Sequence, residues 1–268
     1  MDTIVIQGVP YINLGLLARG GIGEVYRVTD GVNNYAVKVL QYGNEFELDR
    51  YKAEIELLVL AGDSDRVIKC YSYDIDTENH TVYILLELAD IDLNKLLFHG
   101  TFPLEYRTMK CYWKAMLLCV LALHDRDIVH LDLKPLNFVL VGNTVKAIDL
   151  GGSRIVGIDG MTEVRDVGGT ILYMAPEVLS VGNEAKKIGL AADIWSMGCI
   201  LYQMVCGYCP YERTSGMIGK MDAIRSSAPI VIDVDDEDLR DCLSYCLDKN
   251  PTNRPTVRDL LTHPFLDG

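Results

Sequence analysis

The chain has too little positive charge, too few long apolar runs and too few grouped metal ligands for several classes of protein. Lysine and arginine number 25 against 38 aspartates and glutamates, a formal net charge of −13 over 268 residues. That balance argues against general nucleic-acid binding through the surface, because a phosphate backbone is held by basic side chains. It leaves room for a local groove that takes a peptide. No apolar run reaches the roughly 20 residues that cross a bilayer, so no membrane partner is expected. The opening Met1-Asp2-Thr3 lacks the basic segment that begins a signal peptide. Eight cysteines sit mostly in apolar segments, as reduced thiols do in cytoplasm or nucleus. Cys206 and Cys209 form a C-x-x-C pair, but no second pair or histidine lies beside them, so zinc is not expected. Internal repeats and low-complexity segments are absent. With 49% apolar and 24% charged residues, the chain reads as one large globular domain or two small lobes.

What is present is organised around Ile128 to Leu140, I-V-H-L-D-L-K-P-L-N-F-V-L. An apolar pair enters a polar loop and an apolar run leaves it. His130, Asp132, Lys134 and Asn137 fall at the spacing H-x-D-x-K-x-x-N. A polar surface loop could carry four such residues, so the rest of the chain has to supply partners. Upstream, Leu16 to Tyr26 reads L-L-A-R-G-G-I-G-E-V-Y, a glycine hairpin whose bare N–H groups can approach phosphate oxygens. Tyr35 to Leu40 then alternates as a strand, with Lys38 in an otherwise apolar run, where a lysine needs a partner. Glu54 is the candidate, on a helical stretch that spaces Ile55, Leu58 and Val59, while Glu56 faces elsewhere as a solvated carboxylate.

Further strands are expected at Ile4–Tyr11, Val67–Tyr73 and Thr81–Glu87. A core helix, apolar over much of its circumference, is expected from Leu104 to His124. Thr144 to Ile148 gives a short strand that delivers Asp149-Leu150-Gly151. A lone D-x-G is a common turn and carries weight only here, after a strand and close behind the polar loop. Ser153 to Val167 is the least regular stretch, and G-T-I-L-Y-M-A-P-E follows at Gly169 to Glu177. Glu177 calls for a cation, and Arg254, otherwise a surface arginine, is the candidate. Asp193 opens an apolar helix, Ala192 to Cys206, and could bind backbone N–H groups of the polar loop or simply cap its own helix. Ser215 to Phe265 reads as helical, with an acidic interruption at Asp233 to Asp238.

These motifs run in order along nearly the whole chain and resemble the eukaryotic protein kinases. The resemblance implies an α+β class and a bilobal kinase fold as a single domain over residues 1–268. A small, mainly antiparallel β lobe with one helix (1–87) would lead through a hinge (88–91) to a larger, mainly α-helical lobe (92–268), with ATP between them. ATP and Mg2+ are the implied cofactors and protein hydroxyls the implied acceptors. Asp132 would orient the incoming hydroxyl and accept its proton. Lys134 would neutralise the phosphoryl group in flight, and Lys38, held by Glu54, would reach the α- and β-phosphates. Asn137 and Asp149 would hold the metal. Ala18, Gly20, Gly21, Gly23, Val25, Ala36, Lys38, Leu86, Glu87, Leu88 and Val139 would receive the nucleotide. In that set Ala18 takes the first glycine position, Leu86 the back of the pocket, and Glu87 and Leu88 offer backbone groups to adenine. Leu58, Cys70, His130 and Leu150 would stack in one column. In the activation loop, a phosphate on Thr162 would look to Arg154 or Arg165, and Thr170 would bridge Asp132 and Lys134.

Finer stretches look like the monopolar-spindle kinases, dual-specificity enzymes of the mitotic spindle checkpoint. They are I-V-I-Q-G-V-P-Y at Ile4–Tyr11, the pair Gly20-Gly21, I-D-L-N after the hinge, Y-W-K at Tyr112–Lys114, and D-L-K-P-L-N-F. That likeness implies a kinetochore or spindle recruitment partner and location. Leu131 stands where many kinases carry arginine, as in that family, whereas Leu150 in place of phenylalanine departs from it. The family's long amino-terminal targeting region is not among these residues. A pseudokinase scaffold, a small-molecule kinase and a Ser/Thr kinase of another subfamily are the alternatives. The intact set Lys38, Glu54, Asp132, Lys134, Asn137 and Asp149 argues against the first, and G-T-I-L-Y-M-A-P-E against the second.

Overall fold

A computed structural model describes residues 2–20, 23–99, 104–165, 169–179, 185–228 and 230–267. Its chain forms two compact units, Met1–Asp90 with Leu140–Gly151, and Ile91–Val139 with Gly152–Gly268.

The first unit is built on a six-stranded antiparallel sheet. Its strands are β1 (Thr3–Ile6), β2 (Val9–Arg19), β3 (Glu24–Thr29), β4 (Asn34–Gln41), β5 (Cys70–Asp76) and β6 (Thr81–Glu87), in the order β1-β2-β3-β4-β6-β5. The single strand expected at Ile4–Tyr11 is in fact a hairpin. Gln7 and Gly8 both take positive φ (49° and 76°), so the chain reverses and Ile6 pairs with Val9. The same turn reaches the far edge of the sheet, where Gln7 donates from its N–H to Asp74 and from Nε2 to the Tyr73 carbonyl. Ile6, Tyr11, Val28, Val37 and Leu85 form the apolar cluster on this sheet.

Helix α1 (Glu45–Leu60) begins at Asn44, whose side chain accepts the Glu47 N–H, and carries Glu45 and Glu47 in its first turn. Both features suit the positive end of the helix. Its buried face is Leu48, Tyr51, Glu54, Ile55, Leu57 and Leu58. Val59, expected on that stripe, is 62% exposed. The buried arc is centred on Leu58 and takes in Leu57, and Val59 lies about 100° further round.

The second unit starts with β7 (Ile91–Asp92), α2 (Leu93–Phe98) and α3 (Tyr106–His124), then β8 (Ile128–Val129). After a 3-10 turn at Pro135–Asn137 come β9 (Phe138–Val141) and β10 (Thr144–Ala147). The segment Leu140–Gly151 belongs to the first unit, where Ile68 donates to the Ala147 carbonyl and Asp90 to that of Leu140. The stretch expected to be least regular contains two strands. β11 (Arg154–Ile155) pairs with β8, and β12 (Met161–Val164) pairs with β13 (Lys186–Gly189). β12 alternates, with Thr162 and Val164 more buried than Met161 and Glu163, and buried Ile188 of β13 lies opposite Thr162.

The rest is helical: α4 (Pro176–Leu179), α5 (Ala191–Cys206), α6 (Met217–Arg225), α7 (Glu237–Cys246), α8 (Val257–Leu261) and α9 (Pro264–Asp267). The acidic run is shorter as an interruption than expected. Asp236 caps α7 through the Leu239 N–H, and Glu237 and Asp238 form its first turn. The core of this unit gathers α3 and α5. Trp113 is fully buried, donates from Nε1 to the Met197 carbonyl and packs edge-on against Phe265. Arg254, its side chain fully buried, makes a two-pronged ion pair with Glu177 at 2.7 and 2.8 Å and also donates to the Ala191 and Asp248 carbonyls. These acceptors make its burial tolerable, since an unpaired buried guanidinium would cost several kcal/mol, on the order of 3–5. Among the described residues, no helix is long and apolar enough to cross a membrane.

Candidate active site

In the first unit, β4 places Lys38 opposite Val25 and Ile84. Its ammonium lies 2.6 Å from Glu54 on α1 and 2.8 Å from Asp149. The side chains of Lys38 and Glu54 are 12% and 3% exposed, so each must be charge-compensated by the other. Burial alone would lower the Lys38 ammonium, but the two carboxylates overcome it and hold it above its ordinary value. Burial pushes Glu54 up against the pull of Lys38, and the Asp149 charge adds to the push. Asp149 itself sits at φ +64°, a left-handed conformation that costs a non-glycine residue about 1 kcal/mol or more. Glu56 is exposed, as expected.

The glycine hairpin joins β2 to β3. Ala18 pairs with Val25, and the Gly20 N–H donates to the Gly23 carbonyl across the tip. Gly21 lies outside the described residues. At Gly23 a Cβ would meet the Val39 carbonyl oxygen at 2.5 Å and Leu40 Cδ2 at 2.7 Å, so only glycine fits this close backbone approach. Ala36 is buried opposite Leu86, which is half-buried, as are Val25 and Leu88. Glu87 is bound through both its backbone and its side chain. Its N–H is committed to the Lys69 carbonyl, and its carboxylate accepts Lys146 Nζ at 2.8 Å and the Lys69 N–H at 3.3 Å. The hydrogen-bonding continuity of the sheet takes that donor, which leaves the Glu87 carbonyl as the group it can offer. Lys146, unmarked in the sequence except by its place between buried Val145 and Ala147, holds this carboxylate. Leu58 and Leu150 are buried in this unit and Cys70 is half-buried.

In the second unit the polar loop is held from below by α5. Asp193 is not the N-cap of its helix, a place taken by Leu190. Its Oδ2 accepts the His130 N–H at 2.8 Å and its Oδ1 the Leu131 N–H at 2.9 Å. His124 Nε2, from the end of α3, lies 2.9 Å from Oδ2. No sequence spacing marked His124, because the contact joins two helices far apart in the chain. Leu131 has φ +66°. The paired bonds from one carboxylate fix this otherwise disfavoured backbone and aim the next residue, Asp132. His130 is fully buried and its Nδ1 accepts the Asp132 N–H at 3.2 Å.

Asp132 is oriented through both oxygens. Oδ2 accepts Lys134 Nζ at 2.7 Å and Asn137 Nδ2 at 3.2 Å, and Oδ1 accepts the Thr170 N–H at 3.2 Å. Lys134 also donates to Thr170 Oγ1 at 3.2 Å, and Asn137 to the Asp132 carbonyl at 2.8 Å. Gly169 has φ +139°, and a Cβ there would stand 3.0 Å from Asp132 Oδ1. With its Nδ2 spent on Asp132, Asn137 has a carbonyl oxygen left to offer. Val139 is buried just beyond. Thr162 lies in the β12–β13 ribbon opposite Ile188. Arg154, expected to be available to a phosphate there, donates instead to the Gly152 and Ser153 carbonyls, while Arg165 is exposed.

The Asp193 carboxyl shows how these forces balance. Burial works to raise it, but the His124 ring and the backbone N–H of His130 outweigh burial and hold it below its ordinary value. Among the described residues, no group of three or more His, Cys, Asp or Glu side chains could cage a metal ion, and Cys206 and Cys209 belong to none. The oxygen donors of Asn137 and Asp149 are of the hard kind that Mg2+ accepts when phosphates and water complete its shell.

The family model for the protein kinase domain matches residues 11–266. The chain is 36% identical to the dual specificity protein kinase Ttk of Danio rerio, over 99% of its own length and 28% of that protein. It is 34% identical to the serine/threonine-protein kinase mph1 of Schizosaccharomyces pombe, over 99% of its length and 44% of that protein. With the serine/threonine-protein kinase MPS1 of Encephalitozoon cuniculi the identity is 32%, over 100% of the chain and 45% of the relative. The chain thus spans less than half the length of these relatives.

The depressed Asp193 value sets a pH dependence. A carboxyl lowered by folding contributes stability that is complete above its ordinary value of 3.8 and is lost as pH falls through the lower folded value. Urea unfolding from pH 7 into the acid range should therefore show a steeper loss in wild type than in Asp193→Asn. At pH 7 that variant should already be less stable by about 2–4 kcal/mol, having turned acceptors toward donors into a mismatch. Parallel acid profiles would remove Asp193 from this role.

Proposed function

Because the chain belongs to the protein kinase family, we propose that it transfers the γ-phosphoryl group of ATP to serine and threonine hydroxyls of proteins, as a kinase of the monopolar-spindle type. Tyrosine joins the acceptors on the strength of the dual-specificity relative. The observation that carries this reading is Asp132, a carboxylate fixed through both oxygens beside Lys134 and Thr170. A carboxylate held so can orient a hydroxyl and take its proton as the new bond to phosphorus forms, while Lys134 neutralises charge on the moving group. Lys38, kept charged by Glu54 and Asp149, suits the nucleotide phosphates.

The family uses ATP and a divalent metal. We read the metal as Mg2+, with Asn137 and Asp149 as its protein ligands and Ala18, Gly20, Gly21, Gly23, Val25, Ala36, Leu86, Leu88, the Glu87 carbonyl and Val139 as the nucleotide's surroundings. When bound, Mg2+ draws charge from the phosphate oxygens. The likeness to Ttk and MPS1 also favours recruitment to the kinetochore or spindle, through a partner that recognises the protein there.

The test is transfer of labelled γ-phosphate from Mg-ATP to a generic protein substrate. Wild type should transfer it, and Lys38→Met should lose at least about a hundredfold in turnover. Glu54→Gln should be milder, because the lysine survives. Equal damage from both would contradict a phosphate role for Lys38.

The two loop threonines separate by their contacts. Thr170 supports Asp132 and Lys134 directly, whereas Thr162 lies in a ribbon and Leu131 can donate no hydrogen bond to a phosphate. Starting from dephosphorylated enzyme, Thr162→Ala should cost less than about tenfold in turnover, roughly 1.4 kcal/mol of barrier. Thr170→Ala should cost clearly more. The reverse order would make the loop phosphate-gated.

A further inference from the structure

Helix α6 is weakly anchored by its own side chains. Of its nine residues only Ile224 is buried, and Met217 and Ile218 at its start are 67% and 76% exposed. Apolar burial therefore does little to fix its place, and its position must come from elsewhere. Two cations meet its carbonyl end, where the helix dipole favours positive charge. Arg225 donates to the Leu179 carbonyl at the end of α4, and Lys249 donates to the Ile224 carbonyl at 2.8 Å.

Lys249 comes from the turn after α7, and it does more than cap. Its ammonium also hydrogen-bonds the Tyr211 hydroxyl, and lies 4.7 Å from the Tyr211 ring and 5.1 Å from the Trp195 ring. Tyr211 has φ +63°, a conformation a tyrosine adopts only when its surroundings hold it. Trp195 lies on α5, beside Ser196, which donates to the Tyr173 carbonyl at 2.8 Å. On the same helix, Gln203 accepts the Tyr173 hydroxyl at 2.7 Å. One ammonium thus joins α5, the segment around Tyr211 and the end of α6, and α6 in turn is tied through Arg225 to the segment that runs from Tyr173 to Leu179.

We propose that Lys249 is a positioning residue for the peptide acceptor, acting through α6 and Tyr211 on the segment Ile171–Leu179. The proposal rests on the reading of that segment as part of a protein kinase. Lys249 touches neither nucleotide nor reacting atoms in this account. Its loss should raise the KM for a peptide substrate and leave kcat and the KM for ATP unchanged.

The charge on Lys249 gives a readout that simple packing would not. Burial lowers this ammonium to about 8, and the charge of Arg254 adds to the effect. The Cys199 thiol is pushed well above its ordinary value by burial, and Tyr211 is pushed up to about 12, so both stay neutral as Lys249 titrates. Arg254 is paired with Glu177. Peptide KM should therefore rise as pH passes 8, when the two acceptors and two aromatic faces lose a cation and keep a weaker neutral donor.

The experiment compares wild type, Lys249→Arg and Lys249→Met. Peptide KM, ATP KM and kcat are measured from pH 7 to 9.5, and amide hydrogen exchange is followed over 217–225. Lys249→Met should raise peptide KM at pH 7 by at least about fivefold and speed exchange in α6. Lys249→Arg should keep the low KM and flatten its alkaline rise. Unchanged peptide KM in Lys249→Met overturns the proposal, as does an alkaline rise that persists in Lys249→Arg. If wild type transfers no phosphate, the kinase reading falls. Exchange in α6 then decides alone, with unchanged protection in Lys249→Met counting against the pin. Tyr211→Phe, which keeps the ring and removes one acceptor, gives an intermediate KM if the pin is real and the wild-type KM if it is not.

Discussion

One buried carboxylate holds the polar loop in working shape. Asp193 gives one oxygen to the His130 N–H and the His124 ring and the other to the Leu131 N–H. Those bonds pin Leu131 at a positive φ that leucine otherwise avoids, and the turn so formed directs Asp132 toward Lys134, Asn137 and Thr170. Each bond to an ionised carboxylate is worth about 1.5–3 kcal/mol. Three of them offset the penalty of burying the charge, and the depressed Asp193 carboxyl records that they win. The apolar helix α5 is what makes the arrangement rigid, since twelve of its sixteen residues, Asp193 among them, are buried.

The same logic recurs wherever this chain buries charge. Lys38 sits against Glu54 and Asp149, Arg254 grips Glu177 with two prongs, and Lys146 holds Glu87. None of these pairs is a strong source of stability, because desolvation offsets most of the attraction. Their effect is geometric. Each fixes the direction of a charged group that would otherwise sample many rotamers.

Much of this was legible because the chemistry needs particular residue types at short range. H-x-D-x-K-x-x-N, the strand lysine with its helix glutamate, the D-L-G turn and A-P-E each mark a local geometry. The Lys38–Glu54 and Glu177–Arg254 pairs follow from asking what a buried charge requires. Other features depend on contacts that spacing does not encode. The hairpin at Gln7–Gly8 needs a positive φ at a glutamine, which composition does not signal. Val59 shares the helical period of Ile55 but falls just beyond the buried arc. The β12–β13 ribbon joins segments more than twenty residues apart, so its alternation becomes meaningful only once Ile188 is found opposite Thr162. His124, Lys146 and Lys249 are single charged residues whose partners come from distant elements.

On the proposed function, Asp132 serves the acceptor hydroxyl and is no ligand of the nucleotide. Calorimetric titration of Mg-ATP and turnover on a protein substrate, both on Asp132→Asn, test it most directly. Nucleotide affinity should stay close to wild type while turnover falls by about a thousandfold or more. Turnover that survives the substitution, or nucleotide binding that vanishes with it, would remove Asp132 from this role.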